Sequence, residues 1–234
     1  MLPVAILAGG LATRLRPITE TIPKSLVEVA GTPFIVRQLG YLRSQGIGQV
    51  VLCLGHLGEQ IQALIGDGSQ LGLQVHYAFD GPTRLGTGGA LKAALPMLGD
   101  AFFVLYGDSF LPIDFRAVEY AFRASGKPAL MTVLRNQDRW DKSNVEYGDR
   151  VVVEYNKHQP RSEMAYIDYG LSILSITALA KYPSGRAFDL AELYHALSLA
   201  GQLAGHEVFE RFYEIGSHQG LAETDAYFAR QGRQ

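Results

Sequence analysis

The sequence holds a single cysteine, Cys53, in 234 residues. One thiol cannot close an internal disulfide, and there is no Cys-x-x-Cys pair to start a zinc site. The six histidines, at 56, 76, 158, 195, 206 and 218, are scattered, with no pair at i, i+4 on a helical pattern, which disfavours a zinc centre. Positive charge is not in surplus. Lys plus Arg number 21 against 23 Asp plus Glu, a formal net charge of −2, and that removes the electrostatic footprint of a nucleic-acid binder. No apolar run approaches the ~20 residues that a membrane span requires. The first apolar stretch ends at Gly9-Gly10 with no basic segment ahead of it, so no signal peptide is expected, and a cytoplasmic location is the expectation.

Several chemical motifs are missing as well. Gly-x-x-x-x-Gly-Lys-Ser/Thr is absent, which excludes a Walker-type NTPase. Gly-x-Gly-x-x-Gly is absent too. Its nearest candidate, Gly86-Thr87-Gly88-Gly89-Ala90-Leu91, carries Leu91 where the last glycine belongs, so a dinucleotide oxidoreductase is disfavoured. There is no nucleophile elbow. Internal repeats are lacking, and no hexapeptide β-helix follows the α/β part.

What is present is an ordinary globular composition, 47% hydrophobic and 19% charged, in a chain long enough to bury roughly 70–75% of its unfolded surface. Pro3–Ala8 is a short continuous apolar run, as expected of a strand buried on both faces. Phe34–Ser44 carries Ile35, Leu39 and Leu42 at helical spacing. Strands are predicted at Gln49–Leu54, Leu73–Phe79, Ala101–Tyr106 and Ala129–Leu134. Helices are predicted at Gly58–Ile65, Thr87–Leu98 and Phe115–Ala124. This alternation implies βαβ units and a Rossmann-like α/β fold with a mostly parallel, doubly wound sheet. The pattern changes after about residue 140. Gly148-Asp149, flanked by Val145–Tyr147 and Val151–Tyr155, predicts a hairpin, and Leu171–Leu174 a further strand. Residues 136–188 are expected to form a small mixed or antiparallel lobe inserted in a single domain of residues 1–234. Asp189–Ala200 reads as a helix, Leu203–Phe209 and Arg211–Ile215 as strands, and Ser217–Ala229 as a closing helix with Ser217 as N-cap.

The chemistry concentrates where the first strand ends, in Leu7-Ala8-Gly9-Gly10-Leu11-Ala12-Thr13-Arg14-Leu15-Arg16-Pro17. Open α/β sheets place ligands at the carboxyl ends of their strands. Adjacent glycines let backbone N–H groups approach phosphate oxygens with no Cβ in the way. Arg14, Arg16 and Lys24 follow, so the segment reads as a polyphosphate site.

The string GGLATRLRPITETIPKSLVEVAGTP, residues 9–33, resembles the signature of sugar-phosphate nucleotidyltransferases. LGTGGA and YIDYG look most like the heptose 1-phosphate guanylyltransferases, with the N-acetylmuramate or hexose 1-phosphate uridylyltransferases as a related reading. The lack of a β-helix tail sets the chain apart from the bifunctional N-acetylglucosamine type. The resemblance implies that main chain at Leu7, Ala8, Gly9 and Gly10, with Thr13, holds the nucleotide. Arg14 would grip the triphosphate and Lys24 would contact phosphates. The loop Gly86, Thr87, Gly88 and Gly89 would lie against base and ribose. Asp108, in Tyr106-Gly107-Asp108, would bind Mg²⁺. The second metal carboxylate of the family sits in aromatic-x-Asp-x-Gly-Ser/Thr. Phe212-Tyr213-Glu214-Ile215-Gly216-Ser217 has Glu214 there instead of Asp. On the sugar side Lys157 matches the lysine of Glu-Lys-Pro, while Asn156 and His158 depart from that pattern. Asn144, Asp168, Tyr169 and Gly170 are further sugar-site candidates.

The resemblance therefore implies a Mg²⁺-dependent attack of a sugar 1-phosphate on the α-phosphorus of an NTP, releasing pyrophosphate, with no nucleic acid or membrane as partner. It leaves a homo-oligomer open. Two other readings stand beside it. A nucleotide-sugar-dependent glycosyltransferase shares the α/β plan and a strand-end aspartate, but has no use for the Thr-Arg-Leu and Pro-Lys cations. A non-catalytic nucleotide-binding subunit of the same fold is kept open by the Asp-to-Glu change at 214.

Overall fold

The structure is a computed structural model that describes residues 1–136 and 138–231. Strand β1 (Val4–Ala8) opens the chain, and the two-residue strands β2 (Glu28–Val29) and β3 (Thr32–Pro33) precede helix α1 (Phe34–Ser44). Then follow β4 (Gln49–Leu54), α2 (Gly58–Ile65), β5 (Gln74–Phe79), α3 (Gly86–Ala94), β6 (Ala101–Tyr106), the short β7 (Ser109–Phe110), α4 (Phe115–Ser125) and β8 (Ala129–Arg135). The later part runs β9 (Val145–Gly148), β10 (Val151–Tyr155), β11 (Tyr166–Ser175), α5 (Leu190–Leu199), β12 (Leu203–Val208), β13 (Tyr213–Glu214) and α6 (His218–Gln231).

Nine strands form one sheet in the order β5-β4-β1-β6-β11-β8-β12-β10-β9. The β5-β4-β1-β6 half is parallel throughout. Beyond it β8 and β12 are parallel as well, and the antiparallel strands come from the 136–188 segment, where a mixed or antiparallel lobe was expected. Strand β11 enters antiparallel between β6 and β8, and β10 runs antiparallel to both β12 and β9. The sheet is therefore mixed. The chain leaves the βαβ rhythm after β8 and returns through the ten-residue β11, which fills the gap between two strands already in place.

Side chains alternate across the sheet with period two. Val4, Ile6, Val50, Leu52 and Leu54 point into a core shared with α1, α2 and α4. Ala5, Val51 and Cys53 point to the opposite core, under α3 and α5. Helices on both faces explain why β1 and β4 are apolar at successive positions. Helix α6 packs on a third, smaller cluster with Val29, Phe34, Phe110 and Ile215. The 136–188 segment does not stand apart from the sheet. The second half of β11 lies between β6 and β8, and its first half pairs with β8 and, at Tyr166, with β9. Its hairpin turns one residue later than Gly148-Asp149 suggested. Asp149 and Arg150 are the left-handed pair, at φ 50° and 61°, as a two-residue type I′ turn requires. The Arg211–Ile215 strand shrinks to β13, which pairs with β7 in a separate two-stranded sheet.

Candidate active site

The carboxyl ends of β1, β4, β5 and β6 open onto a cavity of about 410 Å³. Leu7, Ala8, Gly9 and Gly10 line it from β1, and Tyr106, Gly107 and Asp108 from β6. Gly107 lets those two strand ends converge. A Cβ there would stand 2.7 Å from the Ala8 Cβ, and its N–H donates to the Leu7 carbonyl at 2.9 Å. That close approach brings Asp108 to the mouth. Gly9 serves the other neighbour, where a Cβ would lie 3.2 Å from the Gly55 nitrogen. At Gly10 a Cβ would meet nothing within 4 Å, so its bareness leaves room in the cavity and relieves no protein contact.

Lys24 reaches the cavity from the turn Lys24–Leu26, which is anchored by buried Ser25. Its Nζ lies 2.5 Å from Asp108 Oδ2, with both side chains about a quarter exposed or less. Thr13 and Arg14 are not brought to the cavity wall. They stand exposed on the turn Thr13–Leu15, held down by fully buried Leu15.

Asp108 and Glu214 are brought together. Strand β13 places Glu214 opposite Ser109, and the Ile215 N–H donates to the Asp108 carbonyl at 2.9 Å. A Cβ on Gly216 would lie 3.3 Å from Asp108 Oδ2 and 2.5 Å from Glu214 Oε2, so the two carboxylates flank that glycine. They differ in availability. Asp108 faces the cavity, whereas Glu214 is turned onto the start of α6, accepting from the Gly216 N–H and from Ser217 Oγ. Among the described residues no three His, Cys, Asp or Glu side chains converge as a metal cage. Two carboxylates with the remaining ligands taken from phosphate and water fit Mg²⁺, provided that Lys24 releases Asp108 Oδ2 and Glu214 leaves the helix terminus.

The second glycine loop has two functions, divided by residue. Gly86 and Thr87 line the cavity. Gly88 and Gly89 do not. They are buried against residues 186–188, where a Cβ on Gly89 would lie 2.7 Å from the Arg186 carbonyl oxygen and one on Gly88 would strike the Phe188 ring. The Thr87 hydroxyl is also engaged, donating to Asp189 Oδ1 at 2.8 Å.

Sequence reading missed several contributors to the wall, among them Asp80, Arg84 and Cys53. Asp80 follows β5, and Asp80-Gly81-Pro82 reads as a turn. Burial raises its carboxyl above the ordinary range, against a Leu85 backbone N–H that lowers it. Cys53 is buried as expected, and burial, with Asp80 nearby, pushes its thiol up to about 12.

The sugar-side candidates form a connected group with one exception. Asn144 Oδ1 accepts from the Asp168 N–H at 3.0 Å, and the Asn156 N–H donates to the Asn144 carbonyl at 2.9 Å. Asp168 Oδ1 accepts from the Gly170 N–H at 3.0 Å, with Gly170 at φ 101° in the irregularity where the register of β11 against β8 shifts between Asp168 and Ser172. Burial pushes the Asp168 carboxyl up to about 6, against Gly170 and Lys157, which act to lower it. Its charge in turn helps to raise the hydroxyl of Tyr106, a cavity residue, behind the larger effect of burial. Lys157 Nζ stands 3.7 Å from Asp189 Oδ2. Tyr169 is the exception. It points to the opposite face, 2% exposed in the core, with its ring edge-on to Phe212 at 5.8 Å, and cannot meet a ligand held by Asp168.

Comparison with known proteins gives the same picture. The family model for nucleotidyl transferases matches residues 4–159. N-acetylmuramate alpha-1-phosphate uridylyltransferase of Neisseria meningitidis serogroup B is 42% identical over 113 residues, 48% of this chain and 49% of that protein. D-glycero-alpha-D-manno-heptose 1-phosphate guanylyltransferase of Campylobacter jejuni is 33% identical over 147 residues, 63% of this chain and 65% of that one. The crystal structure of HddC from Yersinia pseudotuberculosis complexed with GMP-PN superposes with a TM-score of 0.82 at 26% identity, over 97% of this chain and all of the other. The chain spans about half the length of several of the curated relatives that it matches. Strand-end glycines, a paired lysine and aspartate, and a matched stretch from the first strand into the lobe agree: the chain belongs to the nucleotidyl transferase family.

Proposed function

We propose that the chain joins a sugar 1-phosphate to a nucleoside triphosphate, giving a nucleoside-diphosphate sugar and pyrophosphate, with Mg²⁺. The observation that carries this reading is the Lys24–Asp108 ion pair, at 2.5 Å, in the wall of a cavity that Gly9 and Gly10 also line. A cation and a carboxylate so placed suit a triphosphate and its counterion. A bound Mg²⁺, held by Asp108 and Glu214, would supply neutralisation of phosphate charge.

The remaining work falls to the chain. The Gly9-Gly10 main chain seats phosphate oxygens, and Lys24 and Arg14 offset the charge that builds on them during transfer. Arg14 must fold in from its exposed turn to do so. Lys157 holds the phosphate of the sugar. An oxygen of that phosphate attacks the α-phosphorus in line, the bond to the bridging β-phosphate oxygen breaks, and pyrophosphate leaves. No general base is needed, because a phosphate monoester with a second pKa of about 6 is already largely dianionic at neutral pH. Alignment and charge neutralisation supply the rate.

Asp80 supports guanine as the base. Strand β5 is three strands from β6 in the sheet, roughly 14 Å at about 4.8 Å per strand, so Asp80 serves the nucleoside end and Asp108 the phosphate end. A carboxylate offers acceptors only, and guanine presents two adjacent donors, N1–H and N2–H₂, where the other bases present one. The guanine nucleotide named for the Yersinia pseudotuberculosis structure fits this choice.

Pyrophosphate release across GTP, UTP, CTP and dTTP, each with glucose, mannose, heptose and N-acetylmuramate 1-phosphates, tests the reading. GTP should give the fastest turnover, and Asp108→Asn should abolish it. Unchanged release in Asp108→Asn would remove the metal assignment. Nucleotide binding without release in any pair would favour a non-catalytic subunit, a reading to which the engaged Glu214 carboxylate lends support.

A further inference from the structure

Asp189 lies outside the string that carries the family resemblance, yet it touches both halves of the cleft. It is the N-cap of α5, and its side chain accepts from the Ala191 N–H at 3.0 Å. Capping alone would account for the residue type. The same carboxylate also accepts from the Thr87 hydroxyl at 2.8 Å, and that hydroxyl accepts from the Leu190 N–H at 2.8 Å. Thr87 lines the nucleotide cavity. The other carboxylate oxygen faces Lys157 Nζ at 3.7 Å, a contact between half-exposed groups. Burial works against charge on Asp189, yet the Ala191 N–H, the Thr87 hydroxyl and Lys157 together hold its carboxyl below the ordinary range.

The residues next to it reinforce the link. The Gly88 N–H donates to the Phe188 carbonyl at 3.0 Å, and the Phe188 N–H to the Leu85 carbonyl at 3.1 Å. The glycine loop is thus fastened to the segment that ends in Asp189. Its Oδ1 contacts are short and fixed. The Oδ2 contact is long and open to solvent, a separation at which an ammonium is steered by charge and can leave for a better anion.

We propose that Asp189 is a positioning residue that couples the two substrate sites, with Oδ1 setting Thr87 in the nucleotide wall and Oδ2 holding Lys157 ready for the incoming phosphate of the sugar. The inference rests on the nucleotidyl-transfer reading, in which Lys157 receives that phosphate. Charge is needed for the second task and only an acceptor for the first. Asp189→Asn therefore separates them, because the amide oxygen still accepts from Ala191 and Thr87 while the hold on Lys157 is lost.

The test measures steady-state kinetics of the full chain with MgGTP and whichever of glucose, mannose, heptose and N-acetylmuramate 1-phosphates gives the fastest pyrophosphate release. In Asp189→Asn the KM for the sugar 1-phosphate should rise about tenfold, with the KM for GTP within twofold and the melting temperature unchanged. In a Lys157→Ala background the same substitution should have no further effect on the sugar KM. Thr87→Val should raise the KM for GTP. Equal shifts in both KM values for Asp189→Asn, additivity with Lys157→Ala, or a fall in melting temperature with no KM split would overturn the proposal and leave Asp189 a helix cap. Turnover by the wild-type chain with no KM split in Asp189→Asn defeats the coupling alone. A wild-type chain that releases no pyrophosphate with any nucleotide and sugar 1-phosphate pair of the grid defeats the underlying reading and the coupling with it.

Discussion

At the scale of single residues, glycine has different meanings in the two loops. Gly10→Ala places its Cβ in open cavity space. It should leave unfolding stability within about 0.5 kcal/mol of wild type while weakening nucleotide binding. Gly89→Ala drives a Cβ to 2.7 Å from a backbone carbonyl and should cost about 1–3 kcal/mol by overpacking. Denaturant melts with nucleotide titrations separate the two, and equal stability losses would refute the distinction. The sequence shows both glycine pairs alike, since nothing local reveals that residues 186–188 lie against the second. Asp80 was illegible for a related reason. Its neighbours Gly81 and Pro82 explain it as a turn residue, and only the sheet order carries it over the cavity. Asp168 gives a pH-dependent expectation. Its folded carboxyl titrates near 6, above the ordinary ~3.9, so the folded state binds the extra proton between those values. Its stabilising effect is present below about 4 and is lost as pH rises through 6. Asp168→Asn should therefore stabilise the protein at pH 7.5 by roughly 1–2 kcal/mol, the lower part of what two pKa units allow because the group retains some solvent contact. The gain should shrink steadily as pH falls from 6 to 4. A gain independent of pH would show that the Asp168 proton is not its source.

Elements supply the next level of constraint. Helix α1 and helix α2 occupy the residues that their apolar spacing indicates, because one face of each meets a core and nothing competes with the period. The start of α6 was also legible, with Ser217 Oγ accepting from the Gly220 N–H at 3.0 Å as an N-cap does. What the sequence could not show is that Glu214 serves the same terminus. It accepts from Ser217 Oγ at 2.7 Å, favoured by the positive end of the helix. An aspartate in its place has one methylene less to span that distance. On the proposed reading the helix start and a bound Mg²⁺ would therefore compete for one carboxylate. Ser217→Ala removes the cap and one hold on Glu214. It should cost about 1 kcal/mol in stability and lower the Mg²⁺ concentration for half-maximal turnover. An unchanged Mg²⁺ requirement would leave Asp108 as the only protein ligand.

For the whole molecule the question is whether the lobe is a separate folding unit. The change of pattern after residue 140 is visible in the sequence and suggests an insertion. Sheet pairing over long sequence separations is not, because register and strand order depend on contacts that no local window contains. Strand β11 is the decisive element. It reaches the lobe at Tyr166, opposite Val145, and the central sheet at Leu171, opposite Leu105. Strand β10 joins β12 at Val151 and Ala204, and the Tyr155 N–H donates to Ser198 Oγ on α5 at 3.1 Å. Melting the lobe alone would thus cut β11 in half and expose the neighbouring face of α5, which makes a partly unfolded state costly. The chain carries one tryptophan, Trp140, and it lies in the lobe. The Arg211 guanidinium stands 4.2 Å from its ring centre, so its fluorescence reports both the lobe and its seat on the segment after β12. Far-UV circular dichroism reports all of the helices and strands together. The two probes should give coincident thermal and denaturant transitions, as a single cooperative unit does. MgGTP, bound at the parallel end of the sheet, should move both by the same amount, about 2.7 kcal/mol at a hundredfold excess over its dissociation constant. A tryptophan transition that precedes the circular dichroism transition, or that fails to follow it when nucleotide is added, would mean that the lobe unfolds on its own and that β11 does not tie the sugar side of the cleft to the nucleotide side.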